Sequence, residues 1–201
     1  MIFAIVLDIG GVIIRTKNPE SRKQLEEKFN LLPGSVHDLV FNSATAQSAT
    51  IGQINSSQIW KNISNKLSLT PDELEQFITL FWAGDRLDTS LISFLESCRP
   101  RYKTALLSNA WGNFRDVLAR EYNIREGKTV DHILISAELG VAKPDPRIYQ
   151  ILADTLACKY EEILFVDDFI ENINAARSLG IHTIHYYKGL DLINAIKLKV
   201  G

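Results

Sequence analysis

The stretch Ile2-Phe3-Ala4-Ile5-Val6-Leu7-Asp8-Ile9-Gly10-Gly11-Val12 decides how this chain is read, because an apolar run of strand length ends on a single carboxylate followed closely by two glycines. An unbroken apolar run with β-branched members suits a strand buried on both faces, as in the middle of a parallel sheet. In such sheets ligands bind outside the carboxyl ends of the strands, so the residue that closes the run is the first candidate for chemistry. Asp8 holds that position. The run is apolar enough to suggest a secretory signal, but Asp8 interrupts it, and no basic leading segment or small-residue cleavage site accompanies it. A strand of a reduced, cytoplasmic protein is the expectation.

Working outward, similar runs recur at Lys103–Leu107, His132–Ile135, Ile163–Val166 and His182–Tyr186. Amphipathic stretches of helix length lie between the later runs, over Asn113–Tyr122, Pro146–Leu156 and Ile170–Leu179, the last closed by Gly180 in the place of a helix C-cap. This alternation predicts an α/β fold with a parallel sheet. Residues 15–85 break the rhythm, holding several helical patterns and no convincing strand. They are expected to form an inserted α-helical cap, with residues 1–14 and 86–201 as the core. Asn18-Pro19-Glu20 opens one cap helix with a capping residue and a proline, and Thr70-Pro71-Asp72-Glu73 opens another with a capping box. Val36–Asn42 and Ser57–Lys66 are the expected partners. Pro33-Gly34 and Gly84-Asp85 supply breaks.

The bulk numbers narrow the function classes. A chain of 201 residues holds one well-packed core and a modest insertion. With 22 basic against 24 acidic residues and a net charge of −2, nothing draws it toward nucleic acid or an anionic membrane. No apolar run is long enough to span a bilayer. Cys98 and Cys158 match no metal-binding spacing and read as buried or half-buried thiols. A small molecule is the expected partner; oligomeric state leaves no mark in the sequence.

The chemistry lies in what each run ends on. The first ends at Asp8, the second at Ser108-Asn109 and the fourth at Asp167-Asp168, while Lys143 follows the third within Ala142-Lys143-Pro144-Asp145. Taken singly, Asp8 also reads as a turn or helix cap, Ser108-Asn109 as loop formers and Lys143 as a solvated lysine. Two adjacent acids at a sheet edge repel one another without a counter-charge, which a bound cation would supply. Together the residues suit Mg²⁺, a hard cation that takes carboxylates, waters and substrate phosphate, with Asp8, Asp168 and the Gly10 carbonyl as ligands. Ser108, Asn109 and Lys143, with nearby backbone amides, could then meet the remaining phosphate oxygens. A carboxylate nucleophile would split hydrolysis into two displacements through an aspartyl-phosphate.

At this point the chain resembles the haloacid dehalogenase-like hydrolases, in their phosphatase branch with a helical cap inserted after the first strand. Leu7-Asp8-Ile9-Gly10-Gly11-Val12 matches the first family motif, Leu107-Ser108-Asn109 the second, Lys143-Pro144 the third and Phe165-Val166-Asp167-Asp168 the fourth. The resemblance implies a Rossmann-like core, a nucleophilic Asp8, metal ligation by Asp8, Gly10 and Asp168, phosphate binding by Ser108 and Lys143, and a supporting acidic role for Asp167. One position departs. Most phosphatases of the family carry a second aspartate two residues after the nucleophile, as general acid and then base, and here that residue is Gly10. Some sugar-phosphate phosphatases of the family also have glycine there, so sugar phosphates, and sugar 1-phosphates above all, become the expected substrates.

Other residues draw weaker readings. His37, His132, His182 and His185 share no spacing for metal or acid–base work. Trp60, Phe77, Phe81 and Trp82 fit a cap core, Trp111 a pocket rim, and Asn172, one helical turn beyond Asp168, either a bond to the metal shell or an ordinary helix surface. Two rival functions stay open at this stage. A dehalogenase would use Asp8 without a metal, and a catalytically silent binding module would keep the motifs for ligand capture alone.

Overall fold

The structure is a computed structural model describing residues 1–201. In chain order, β1 (Ala4–Leu7) leads into β2 (Ile14–Thr16) and then α1 (Glu20–Lys28), α2 (Ser35–His37), α3 (Ala44–Thr50), α4 (Ser57–Leu67) and α5 (Pro71–Trp82). The chain returns through β3 (Asp85–Leu87) to α6 (Thr89–Cys98), β4 (Lys103–Ser108), α7 (Phe114–Glu121), β5 (His132–Ile135), α8 (Ser136–Leu139) and α9 (Pro146–Leu156). It closes with β6 (Ile163–Asp167), α10 (Ile170–Ser178), β7 (His182–His185) and α11 (Leu192–Val200).

Five strands form one parallel sheet in the order β5-β4-β1-β6-β7, so the apolar run that opens the chain is its central strand. Ala4 pairs with Lys103 on one side and Ile163 on the other. Strand alternation then sends neighbouring residues to opposite faces. Ile5 and Leu7 enter a core layer with Leu91 and Leu95 of α6, Leu118 of α7 and Ile196 of α11. Ala4 and Val6 enter the layer on the other face, with Ile148, Tyr149 and Leu152 of α9 and Ile173 of α10. The result is the expected α/β sheet covered by helices on both faces. Gly180 takes a left-handed φ of 93° just beyond α10, the conformation a C-cap glycine supplies.

The helices α1 to α5 pack around a third apolar cluster built on Leu25, Val36, Val40, Ile59, Ile63, Phe77 and Phe81. The Thr70 hydroxyl accepts from the Glu73 amide at 3.3 Å and the Glu73 carboxylate accepts from the Thr70 amide at 2.9 Å, which completes the capping box at α5. Asn18 accepts from the Glu20 amide at 3.0 Å at the start of α1. Over Val36–Asn42 the expected helix is α2 followed by a wider π-type turn, Asp38–Asn42. One sequence reading is corrected: residues 15–85 do contain strand. Arg15 and Thr16 of β2 pair antiparallel with Arg86 and Asp85 of β3, forming a ribbon at the neck of the insertion. Each strand is three residues long, too short for alternation to register. The ribbon is fastened from both sides. Arg22 of α1 grips Asp85 at 2.9 and 3.0 Å, while Arg15 bonds Asp88 and Tyr186 of the core.

Cys98 is buried and Cys158 half-buried, both free thiols. No helix is long and apolar enough to cross a membrane.

Candidate active site

Parallel pairing brings the ends of β1, β4 and β6 to one edge of the sheet, and the side chains there are polar where the strands behind them are not. The Asp8 amide donates to the Val166 carbonyl at 2.8 Å, extending the β1–β6 register to the carboxylate. Asp8 is 6 % exposed, Lys143 5 % and Asp167 0 %, so water does little to screen their charges, and Ser108 beside them is buried as well.

Lys143 sits between two acids. Its Nζ donates to Asp8 Oδ1 at 2.7 Å, Asp167 Oδ2 at 2.6 Å and the Leu107 carbonyl at 3.0 Å, which uses all three ammonium protons. Asn109 holds its backbone: Asn109 Nδ2 donates to the Lys143 carbonyl at 2.8 Å, and the Lys143 backbone N–H donates to Asn109 Oδ1 at 2.8 Å. Asp167 is oriented from behind by the Phe169 amide at 2.8 Å and by Asn172 Nδ2 at 3.1 Å from each carboxylate oxygen. Tyr149 Oη in turn donates to the Asn172 carbonyl at 2.8 Å.

Asp8, Asp167 and Asp168 each present an oxygen within 4.8 Å of the others. Three ionised carboxylates against one ammonium leave negative charge uncompensated at the site. Burial first, and then Asp167 and Asp168, push the Asp8 carboxyl up to about 7 against the pull of Lys143. Burial and then Asp167 also raise Asp168. Burial works against the Lys143 ammonium, but Asp8 and Asp167 outweigh it and raise its pKa.

The donor set fits a divalent cation. Asp168 Oδ1 is buried and has no hydrogen-bond partner, a costly condition for a carboxylate oxygen that a hard cation would relieve. Gly11 keeps the space open: its φ is +77°, and a Cβ there would stand 2.0 Å from Asp168 Oδ2. Only glycine suits both the conformation and the close approach. In the loop after Asp8, Ile9 accepts from the Ile13 and Ile14 amides at 2.9 and 2.8 Å and Gly11 donates to the Ile14 carbonyl at 2.9 Å, so the Gly10 carbonyl takes part in none of these bonds.

Thus Asp8, Lys143, Asp167 and Asp168 meet directly, Asn109 braces Lys143, and Ser108 follows the residue whose carbonyl the ammonium holds. Tyr149 carries no sequence signal, being an aromatic at helical spacing on an apolar face. His185, assigned no role from the sequence, places Nε2 3.0 Å from the Asp168 carbonyl. Trp111 lies among the rings of Phe41, Trp60 and Trp82, at centroid distances of 5.9, 5.8 and 6.4 Å, rather than at an open rim. A cavity of about 720 Å³ lies at the other end of the sheet, beside Phe3, Tyr102, Lys103 and Glu162. None of Asp8, Lys143, Asp167 and Asp168 lines that cavity.

A sheet with a cation-hungry carboxylate cluster at its central strand ends, and a helical insertion after the first strand, defines a class of hydrolase. Residues 2–180 match the family model described as haloacid dehalogenase-like hydrolase, and the chain belongs to that family. It is 37% identical over 103 residues to bifunctional epoxide hydrolase 2 of Mus musculus, a match covering 50% of this chain and 18% of that protein. It is 26% identical over 200 residues to D-ribitol-5-phosphate phosphatase of Bacteroides thetaiotaomicron, covering 95% of each. In fold it is similar to a family enzyme of Bacteroides thetaiotaomicron solved with magnesium and inorganic phosphate, with TM-score 0.76, 20% identity and coverage of 95% and 97% of the two chains.

Proposed function

We propose that the protein is a Mg²⁺-dependent phosphomonoester hydrolase acting on a small phosphorylated metabolite, with a sugar phosphate as the favoured class. The observation that carries this reading is the Lys143 ammonium clamped between Asp8 and Asp167, beside a buried Asp168 oxygen with no partner. The phosphatase relative that spans nearly the whole chain and the magnesium and phosphate in the structural relative support it.

In this reading Asp8 is the nucleophile. Its carboxylate attacks phosphorus, the bond to the leaving alcohol oxygen breaks, and water then hydrolyses the aspartyl-phosphate to inorganic phosphate. Lys143 pulls the Asp8 carboxyl toward its ionised form and offsets charge on the transferring group, and the Ser108 hydroxyl donates to a phosphate oxygen. Asp167 acts through Lys143, holding the ammonium from the far side. Asp8, Asp168 and the Gly10 carbonyl would hold Mg²⁺, which supplies electrostatic stabilisation of the phosphoryl group when bound. Phosphate release from p-nitrophenyl phosphate should require Mg²⁺ and stop when it is chelated. Phosphate release indifferent to chelation would contradict the role given to the metal, and folded protein that releases no phosphate would favour a metal-free dehalogenase or a silent binding module.

Gly10 bears on the substrate. The place where a side chain would begin at Gly10 has nothing within 4 Å, so crowding does not account for the glycine. Without a general acid, the leaving oxygen must take its proton from water, which favours relatively acidic alcohols such as the anomeric hydroxyl of a sugar. Glucose 1-phosphate should therefore be turned over faster than glucose 6-phosphate. Gly10→Asp should narrow that gap, raising the slower substrate by about 10²-fold, the lower end of what a positioned acid contributes. Equal rates for the two esters in the parent protein would sink the leaving-group argument.

A further inference from the structure

Residues 109–113, the segment after Ser108, make a set of contacts that the proposed chemistry does not use. At its start Asn109 braces the backbone of Lys143. At its far end Asn113 is bonded by the Ser56 hydroxyl of the helical insertion at 3.1 Å, and between them Trp111 stacks on Phe41 of that insertion at 5.9 Å. Ser136, at the start of α8, ties the two bodies together. It is 0 % exposed, and its hydroxyl accepts from the Ala110 amide at 3.0 Å. A hydroxyl has one proton to give. The nearest acceptor is the Thr50 carbonyl at 2.7 Å, one of the last carbonyls of α3, which have no partner within their own helix; the Ala110 carbonyl is farther, at 3.2 Å. One residue beyond Ile51, Gly52 has a φ of +72°, and a Cβ there would stand 2.2 Å from the Ala137 carbonyl, so backbone meets backbone at this junction.

We propose that Ser136 is a positioning residue: its hydroxyl fastens α3 to the loop that begins at Asn109, directly after Ser108, making the seating of the helical insertion and the placement of the Lys143 ammonium a single event. The effect on turnover rests on the phosphatase reading above; the mechanical coupling does not. Loss of the hydroxyl takes this partner from the Thr50 carbonyl and from the Ala110 amide, two residues beyond Ser108, at the same time. Asn109 then transmits the slack to Lys143.

Two variants test this from opposite sides of the junction, Ser136→Ala in the core and Gly52→Ala in the insertion. Amide hydrogen exchange would be followed in peptides covering residues 48–55 and 108–114, with residues 4–7 as an internal reference. Each variant should speed exchange in both segments by about tenfold, the worth of one hydrogen bond, and leave the reference unchanged. kcat for p-nitrophenyl phosphate should fall by a similar factor in both. Faster exchange confined to the segment nearest the substitution, or an unchanged kcat with both segments loosened, overturns the proposal. Parent protein that releases no phosphate refutes the phosphatase reading, and the exchange data then still decide whether the two segments are coupled. Because the two substitutions lie on different bodies, misfolding of one leaves the other to give the answer.

Discussion

Asp8→Asn protein, assayed with p-nitrophenyl phosphate at saturating Mg²⁺, should lose activity by roughly 10³-fold or more, as when the nucleophile of a concerted site is removed, yet melt higher than the parent at pH 8 without metal. The first effect follows from the proposed covalent step. The second follows from burial. The Asp8 carboxyl is pushed up to about 7 by burial and by Asp167 and Asp168, whereas in the unfolded chain it titrates near 4. Between those values the folded state holds a proton that the unfolded state has released, so stability of the metal-free parent falls as pH rises from about 4 to 7 and then levels off. Asparagine has no charge to bury and can still accept from Lys143. The gain should therefore be largest above pH 7 and shrink toward pH 4. Melting curves at pH 5 and pH 8 with a chelator measure it, and a variant that melts lower than the parent at pH 8 would contradict the electrostatic account.

Lys143→Met should be the more damaging change to the fold. It removes an ammonium bonded at 2.7 and 2.6 Å to two buried acids and leaves Asp8 and Asp167 facing one another without a counter-charge. Breaking a buried ion pair by deleting one partner costs about 3–5 kcal/mol, which for a chain of this length is a fall in melting temperature on the order of 10 °C. The loss should deepen with rising pH, because the remaining carboxylates can escape repulsion only by taking up protons. Activity should vanish with it. A melting difference that is the same at pH 5 and pH 8 would mean that methionine fails by packing rather than by charge, and the role given to the ammonium would have to be withdrawn.

Much of the core was legible because the residues that build it are constrained twice. The run Ala4–Leu7 lies in the middle of the sheet, so neither face tolerates polarity and the apolar stretch is unbroken. The acids stand where it and Ile163–Val166 stop. The helices α9 and α10 announce themselves by apolar spacing, a proline and a terminal glycine. By contrast α6 and α11 pass unread between runs, and α3, with the sequence Ala-Thr-Ala-Gln-Ser-Ala-Thr, has too little apolar contrast to mark a face. The ribbon at the neck is beyond any periodicity argument.

At the site, the strand-end rule points to Asp8, Ser108, Lys143 and Asp167-Asp168 from the sequence alone, but not to their mutual bonding. That Asn109 holds Lys143 by two hydrogen bonds depends on two loops separated by the whole of α7 and β5. Ser136 and Tyr149 have no local peculiarity at all. Their partners are backbone carbonyls and amides, which every residue possesses, so sequence composition carries no trace of the contact.

The place of β1 in the sheet also sets the order in which the molecule can be made. Its two neighbours begin at Lys103 and Ile163, while the insertion is assembled from segments close in sequence. A chain emerging from the ribosome can gather its helical insertion early, but must carry β1 unpaired until β4 has been synthesised, with the second edge waiting for β6. Long-range parallel pairing of this kind is slow and leaves sticky surface exposed meanwhile. The strand that ends at Asp8 is thus made well before either of its neighbours, and chaperone demand during synthesis should track the interval before residue 103 rather than the difficulty of any later step.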